Sequence, residues 1–142
     1  MPPPKVVLDT NVVVSAHLNP DGLERLVLNL ALAGRLRLCI SSEILAEYDE
    51  VLRRPKFAID PAKVTDSIRL LSSRAAMLEP SANVAVTSDP EDNKFLECAE
   101  EAGADYLITG NLRHFPKRWK KTRIVSSRQL IEVVIMGFKG TR

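Results

Sequence analysis

The sequence contains few cysteines, few aromatic residues and no long hydrophobic run. Two cysteines in 142 residues are too few for the disulfide framework of a small secreted domain. Both lie among apolar residues, and the N-terminal segment lacks the apolar core of a signal peptide, so we expect reduced thiols in a cytoplasmic protein. No apolar run reaches the ~20 residues that cross a bilayer, and we expect no contact with a membrane.

The sequence also lacks the motifs of two common kinds of ligand site, for nucleotides and for zinc. The chain has no glycine-rich phosphate loop of the Walker or dinucleotide-binding type, which argues against nucleotide binding of those kinds. Its two histidines, His17 and His114, have no partner at the spacing of zinc ligands, so we do not expect a zinc site.

The residues that are present have the composition of a globular domain. With 45% hydrophobic and 27% charged residues, the chain is not of the disordered class, and its length suits a single domain over residues 1–142. Residues 1–110 carry eleven Lys or Arg against seventeen Asp or Glu, whereas residues 111–142 carry nine against one. An acidic body with a basic C-terminal segment suits metal ions in one part and polyanions in the other.

Short apolar strand patterns alternate with helix patterns along the whole chain. The strand patterns cover residues 5–9, 36–40, 77–80, 106–109 and 123–125, and helix patterns follow Gly22, Ser41, Pro61, Asp89 and Ser127. The first two of these helices are expected to stop at Gly34 and Pro55. The alternation predicts an α/β sandwich around a mostly parallel sheet, in which ligands collect beyond the carboxyl ends of the strands.

Polar residues follow the first strand directly. Asp9, Thr10 and Asn11 stand where this apolar strand ends. All three are good N-cap residues for a following helix, so a purely structural role and a place in a functional site both remain open.

A second polar group opens the helix that follows Asp89. Asp89 fits the N-cap, and Asp92 fits a position in the first turn that favours a carboxylate. Helical periodicity also places Asp92 on the buried stripe of this helix and Lys94 on its outward side. A carboxylate at the head of a buried stripe is costly unless it is paired or binds a metal, which favours a functional role for Asp92.

The helix after the second strand supplies a further carboxylate. Glu47 and Asp49 flank opposite edges of its apolar face, and periodicity alone does not choose between them. Together with Asp9 and Asp92, either residue would make an oxygen-rich site that suits Mg²⁺ or Mn²⁺. Because three crowded carboxylates repel one another, such a cluster itself implies a cation.

Four segments in this order, VVLDTN, ILAEYDEVL, DPEDNKFL and DYLITGN, together resemble the PIN domain family. Within that family the chain is similar to the toxin components of prokaryotic toxin–antitoxin pairs. The resemblance covers nearly the whole chain. It implies a three-layer α/β/α sandwich, a metal-dependent ribonuclease, an antitoxin partner and a homodimer. Carried over by position, the acidic residues of the family fall on Asp9, Glu47 and Asp92, which favours Glu47 over Asp49.

One position departs from the pattern of the family. Many PIN domains have a fourth aspartate after the Thr-Gly pair, where this chain has Asn111. An amide oxygen can still ligate a metal but adds no charge, so we expect Asn111 to complete the metal set with weaker binding.

Four other residues are expected to support the site. Asn11 and Asp89 stand beside the expected ligands, and Thr109 is expected to fix the strand end or a metal-bound water. His114 either packs in its loop, contacts phosphate or acts as a general acid near the leaving oxygen.

A basic run near the C-terminus is the expected RNA contact. Lys and Arg neutralise phosphates, and an aromatic ring among them can stack on an unpaired base. A charged, solvated loop with a partly buried tryptophan is the structural alternative. The run extends from Lys117 to Arg123, and the residues in it that we expect to contact RNA are Lys117, Arg118, Trp119, Lys120 and Lys121.

The sequence therefore predicts a Mg²⁺- or Mn²⁺-dependent ribonuclease with Asp9 as its central ligand. A non-catalytic PIN-like RNA-binding module is the alternative if Asn111 breaks the site. A phosphatase of the haloacid dehalogenase type also has an aspartate after its first strand, but it needs a second one two residues later, where Asn11 stands.

Overall fold

The computed structural model describes residues 2–140, with side chains described through residue 136. Six strands form one sheet in the order β3-β2-β1-β4-β6-β5. The strands are β1 (Lys5–Leu8), β2 (Arg37–Ile40), β3 (Ala76–Met77), β4 (Tyr106–Ile108), β5 (Arg118–Trp119) and β6 (Thr122–Val125). The helices are α1 (Thr10–Leu18), α2 (Leu23–Leu32), α3 (Ser42–Leu52), α4 (Pro61–Arg74), α5 (Asn93–Ala102) and α6 (Ser127–Gly140).

The sheet is parallel except at one edge. β1 pairs in parallel with both β2 and β4, and β4 pairs in parallel with β6, whereas the short β5 runs antiparallel to β6. Helices flank this sheet: α5 packs on β1, β2 and β4, and α6 packs on β4 and β6. The predicted α/β sandwich with a mostly parallel sheet is confirmed.

The centre of the sheet is fully buried, as its sequence indicates. Val6, Val7 and Leu8 of β1 have no exposed surface, because an apolar run without alternation suits a strand covered on both faces. The following helix α1 is apolar on most sides, with Val12, Val13 and other residues buried. Such a helix gives little amphipathic signal in the sequence.

The order of the strands reverses at β1. The chain passes from β1 outward to β2 and β3, and then returns to the other side of β1 to form β4 and β6. At such a reversal the connections on the two sides diverge and leave a crevice beyond the carboxyl ends of the two central strands. The ends of β1 and β4 therefore mark the place for a site.

Several boundaries differ from the sequence-based expectation. Helix α3 ends at Leu52, and Pro55 instead begins a 3-10 turn over Pro55–Phe57. The helix expected from Asp89 begins as a 3-10 turn over Pro90–Asp92 and becomes α-helical at Asn93. Gly34 follows α2 with φ of +80°, which agrees with its expected role as a helix stop. No helix within residues 2–140 is long and apolar enough to span a membrane.

Candidate active site

Asp9 and Thr109 meet where β1 and β4 end. Leu8 lies opposite Ile108 in the ladder, and the backbone N–H of Asp9 donates to the Ile108 carbonyl at 2.9 Å. The Thr109 hydroxyl donates to Asp9 Oδ2 at 2.7 Å. Asp9 is only 6% exposed, so this hydrogen bond fixes a buried carboxylate at the crevice.

Helix α3 brings Glu47 to the same edge of the sheet. The buried Tyr48 hydroxyl donates to the Leu8 carbonyl at the end of β1, and the Thr10 hydroxyl donates to Glu47 Oε2. These two contacts tie α3 to the strand end beside Asp9. Sequence analysis located Thr10 at the strand end but gave it no partner, and it did not single out Tyr48, because both contacts join segments that are distant in sequence.

Asp92 reaches the site from the turn before α5. The Asp89 side chain accepts a hydrogen bond from the Glu91 backbone N–H at 3.0 Å and so caps this turn, as predicted. Asp92 Oδ2 lies 3.3 Å from His114 Nδ1. Partial burial and the neighbouring charge of Asp89 raise the pKa of Asp92, and the His114 contact opposes that rise.

Asn11 links the two strand ends. Its side-chain oxygen accepts from the Gly110 backbone N–H at 3.2 Å, and its side-chain nitrogen donates to Asp9 Oδ2 at 3.3 Å. Asn111, two residues beyond Thr109, donates its backbone N–H to the Thr109 hydroxyl at 2.9 Å. Both asparagines line the cleft that holds Asp9.

Burial and mutual repulsion change the chemistry of Asp9. The pKa of Asp9 is raised to about 6, chiefly by desolvation and to a lesser degree by the charges of Asp92 and Glu47, whereas hydrogen bonds from Thr109 and Thr10 oppose the rise. The three carboxylates predicted from the sequence are therefore close enough to interact electrostatically.

The position of Lys94 differs from the one expected from the sequence. Periodicity placed it on the outward side of its helix, but the residue is only 7% exposed and its Nζ lies 2.6 Å from Glu47 Oε1. Burial lowers the pKa of Lys94, but the contacts with Glu47 and Glu91 raise it more, so the pKa stays above its ordinary value. The outward placement of Lys94 was therefore wrong, and its ammonium group lies beside a carboxylate of the site.

Asp9 and Glu47 open into a cleft of about 670 Å³, and Asp92 is not among the residues that line it. Among the described residues, no three His, Cys, Asp or Glu side chains lie close enough together to hold a metal ion. The donor set nevertheless fits a hard cation, because it consists of carboxylate and amide oxygens. Burial, and after it the charges of Asp92 and Glu47, disfavour the ionised form of Asp9 and raise its pKa, and a bound cation would offset both effects. The cleft is lined by Asp9, Thr10, Asn11, Val14, Ser15, Leu18, Glu47, Glu50, Val51, Arg54, Phe57, Glu91 and Asn111.

The basic run is divided between two ends of the sheet. Trp119 donates its indole N–H to Glu100 at 2.9 Å, and Lys121 pairs with Asp105 at 3.5 Å, just before β4 begins. These contacts lie at the end of the sheet where the parallel strands begin, opposite the end that carries Asp9. Lys120 lies in the turn between β5 and β6, with φ of +54°. Arg118 of β5 lies opposite Arg123 of β6 in the antiparallel ladder.

Lys117 lies apart from the rest of the run, in a second cleft. This cleft has a volume of about 400 Å³ and is lined by Arg113, Lys117, Arg123 and apolar residues of β6. The structure thus brings Lys117 together with Arg123 from the end of the same run and with Arg113, which sequence analysis did not select.

The model of one family matches most of the chain: the PIN domain model covers residues 5–113. The chain belongs to the PIN domain family. PIN domains are generally nucleases that use divalent metal ions. The resemblance seen in the sequence is thereby confirmed at the level of the family.

Two comparisons place this PIN domain among known proteins. An uncharacterized protein of Methanocaldococcus jannaschii is 33% identical over 110 residues, which are 75% of this chain and 70% of that protein. The crystal structure of VapBC2 from Rickettsia felis, bound to a DNA fragment from its promoter, matches with a TM-score of 0.57 at 19% identity. The match covers 84% of this PIN domain and 96% of the matched chain. At that identity the likeness shows the fold alone.

Proposed function

We propose that this PIN domain is a Mg²⁺- or Mn²⁺-dependent endoribonuclease. The observation that carries the proposal is the buried carboxylate of Asp9 at the strand-order reversal, with its pKa raised by burial and by the charges of Asp92 and Glu47. Crowding of this kind costs free energy in a metal-free protein and favours binding of a divalent ion. Membership of a family of nucleases supports the same reaction class.

In this proposal Asp9, Asp92 and Asn111 hold the ion. Glu47, which was expected from the sequence as a further ligand, lies beside the ion, because its two oxygens already accept hydrogen bonds from Lys94 and Thr10. Thr109 and Asn11 both donate to Oδ2 of Asp9, which orients the carboxylate. A bound divalent ion supplies positive charge that stabilises the phosphate and lowers the pKa of a water molecule for in-line attack on phosphorus.

His114 has a positioning role in the proposed mechanism. Its Nδ1 contacts Asp92 and so restrains that carboxylate from the side of the loop after β4. Nε2 has no hydrogen-bond partner among the described residues and is free to contact a phosphate of the substrate.

The second cleft supports RNA as the substrate. Within the described part of the chain, Arg113, Lys117 and Arg123 form no ion pair, so their charges are available to phosphates. Leu112, which shares a 3-10 turn with His114, lines this cleft. The proposed RNA path therefore runs from the carboxylates into the basic cleft.

The biological role proposed here is that of a toxin held by a protein antitoxin in the cytoplasm. Support comes from the fold shared with a chain in the structure of VapBC2 and from the four sequence segments that resemble toxin components.

A homodimer is also part of the proposed function. Expression of the chain alone should arrest growth, co-expression of a protein from an adjoining reading frame should relieve it, and light scattering of the purified protein should give twice the mass of one chain.

A non-catalytic RNA-binding module is the second candidate, and Asn111 favours it because it replaces an acid near the site. The phosphatase alternative gains no support, because the Asn11 amide is engaged with Asp9 and Gly110. One experiment separates the candidates: labelled transfer RNA and messenger RNA are incubated with the protein in Mg²⁺, in Mn²⁺ and in EDTA. Cleavage that EDTA abolishes supports the nuclease, and binding without cleavage in either metal supports the module.

A further inference from the structure

The ammonium group of Lys94 is fully engaged inside the protein. Its Nζ lies 2.6 Å from Glu47 Oε1, 2.6 Å from the backbone carbonyl of Glu91 and 3.4 Å from Glu91 Oε2. The side chain is 8% exposed. An ammonium group has three hydrogens to donate, so every one of them has an acceptor in the protein.

Lys94 neutralises one selected carboxylate of the three. Glu47 receives Lys94 on one oxygen and the Thr10 hydroxyl on the other. Asp9, by contrast, accepts hydrogen bonds from the neutral side chains of Thr109 and Asn11. The positive charge therefore lies beside Glu47 and not beside Asp9.

We propose that Lys94 is a positioning residue that cancels the charge of Glu47, so that the site holds a single divalent ion. This inference rests on the proposed metal-dependent function. Asp9, Glu47 and Asp92 carry three negative charges when ionised. Lys94 also contacts Glu91, but that carboxylate is 3.4 Å away on an exposed side chain, so Lys94 chiefly offsets the charge of Glu47 at 2.6 Å. The remaining two match one Mg²⁺ or Mn²⁺. A fixed ammonium on Glu47 also repels a second cation from that carboxylate.

The same ion pair ties α3 to α5, and a purely structural tie predicts a different result. If Lys94 only holds the helices together, its replacement loosens Glu47 and weakens metal binding. If Lys94 is a countercharge, its replacement by an uncharged residue leaves three negative charges and strengthens metal binding. The sign of the change in affinity separates the two roles.

Calorimetric titration with Mn²⁺ measures both the number of ions and their affinity. The proteins compared are the wild type, Lys94→Met, Lys94→Arg and a control, Lys63→Met, which removes an exposed lysine of α4. The wild type should bind one ion per chain. Lys94→Met should bind the first ion about fivefold more tightly and accept a second, whereas Lys94→Arg and Lys63→Met should behave as the wild type.

Each other outcome overturns a stated claim. Weaker or unchanged Mn²⁺ binding by Lys94→Met makes Lys94 a structural tie only. Two ions in the wild type overturn this inference and leave the metal-dependent nuclease standing. No bound ion in the wild type overturns the proposed function, and this inference with it.

A second pair of variants keeps the test decisive if Lys94→Met does not fold, as judged by circular dichroism. Glu47→Gln and the double variant Glu47→Gln/Lys94→Met lack the same carboxylate and differ only in the lysine. The double variant should bind Mn²⁺ about fivefold more tightly than Glu47→Gln, since it lacks the opposing charge. Equal affinities in this pair would overturn the countercharge role.

Discussion

Thr109 and Asp9, one hundred residues apart in sequence, share a buried hydrogen bond of 2.7 Å between the hydroxyl and Oδ2. β1 and β4 pair in parallel and end at Leu8 and Ile108, which lie opposite each other. Asp9 and Thr109 are the next residues of the two segments, so the pairing of the strands places them side by side. The contact holds the proposed central ligand in one orientation. The first prediction tests it.

Replacing Thr109 by valine should keep the packing and remove the donor. A hydrogen bond to a charged group contributes about 1.5–3 kcal/mol, so Thr109→Val should lower the free energy of unfolding by about that amount and slow RNA cleavage. Thr109→Ser, which keeps the hydroxyl, is the control. Urea unfolding in EDTA and initial cleavage rates provide the measurements, and a valine variant as stable and active as the serine variant would remove Thr109 from the site.

The second prediction concerns pH and Asp9. Its pKa is about 6 in the folded protein against an ordinary 3.8, so the folded state binds more protons than the unfolded state between these values. This contribution to stability is fully present below pH ~3.8 and is lost as pH rises through ~6. The shift corresponds to about 3 kcal/mol.

Asp9→Asn should abolish this contribution and also abolish cleavage. In EDTA, the stability difference between the variant and the wild type should change by up to about 3 kcal/mol between pH 7 and pH 4, in favour of the wild type at the lower pH. At pH 7 the variant should be at least as stable as the wild type. Full nuclease activity of Asp9→Asn would contradict the proposed site.

The third prediction compares two pairs of cations of equal charge. Arg113→Ala/Lys117→Ala removes cations of the basic cleft, whereas Lys120→Ala/Lys121→Ala removes cations near the opposite edge of the sheet. The first pair should weaken RNA binding and lower the log–log salt slope by about 1.4, since each phosphate contact contributes roughly 0.7 for a single strand. The second pair should leave the slope nearly unchanged.

Filter binding at several salt concentrations provides this measurement. Equal slopes in the two double variants would place the RNA elsewhere, and a larger effect of Lys120 and Lys121 would restore the basic run as a whole. Both variants should cleave at a measurable rate when RNA is saturating, because neither removes a carboxylate.

The fourth prediction concerns the position where the family pattern has an acid. Asn111→Asp adds a negative charge to the cleft that holds Asp9 and Glu47. The Coulomb attraction to a divalent ion is reduced by desolvation and by carboxylate repulsion, so we expect a net gain of about 1 kcal/mol, or about fivefold in Mn²⁺ affinity. Asn29→Asp, on the exposed face of α2, controls for the change in net charge. Equal affinities of the two variants would place residue 111 beyond the reach of the metal.

Local sequence pattern was enough to predict the central strands of the sheet and the candidate acids at their carboxyl ends. Val6, Val7 and Leu8 form an unbroken apolar run, which is stable only as a strand covered on both faces. A polar residue directly after such a run must lie at the strand end, so the location of Asp9 follows from local pattern. The same reasoning located Thr109.

The partners of these residues, by contrast, follow from how distant segments pack against one another. Local periodicity placed Lys94 outward because it contains no information about Glu47, which approaches from a helix 47 residues away. From the sequence, the basic run was expected to form a single RNA-binding surface. In the structure, Trp119 and Lys121 contact Glu100 and Asp105 at the end of the sheet opposite Asp9. The physical reason is that the free energy of a buried or paired charge depends on what packs against it, and packing between distant segments is absent from any local sequence pattern.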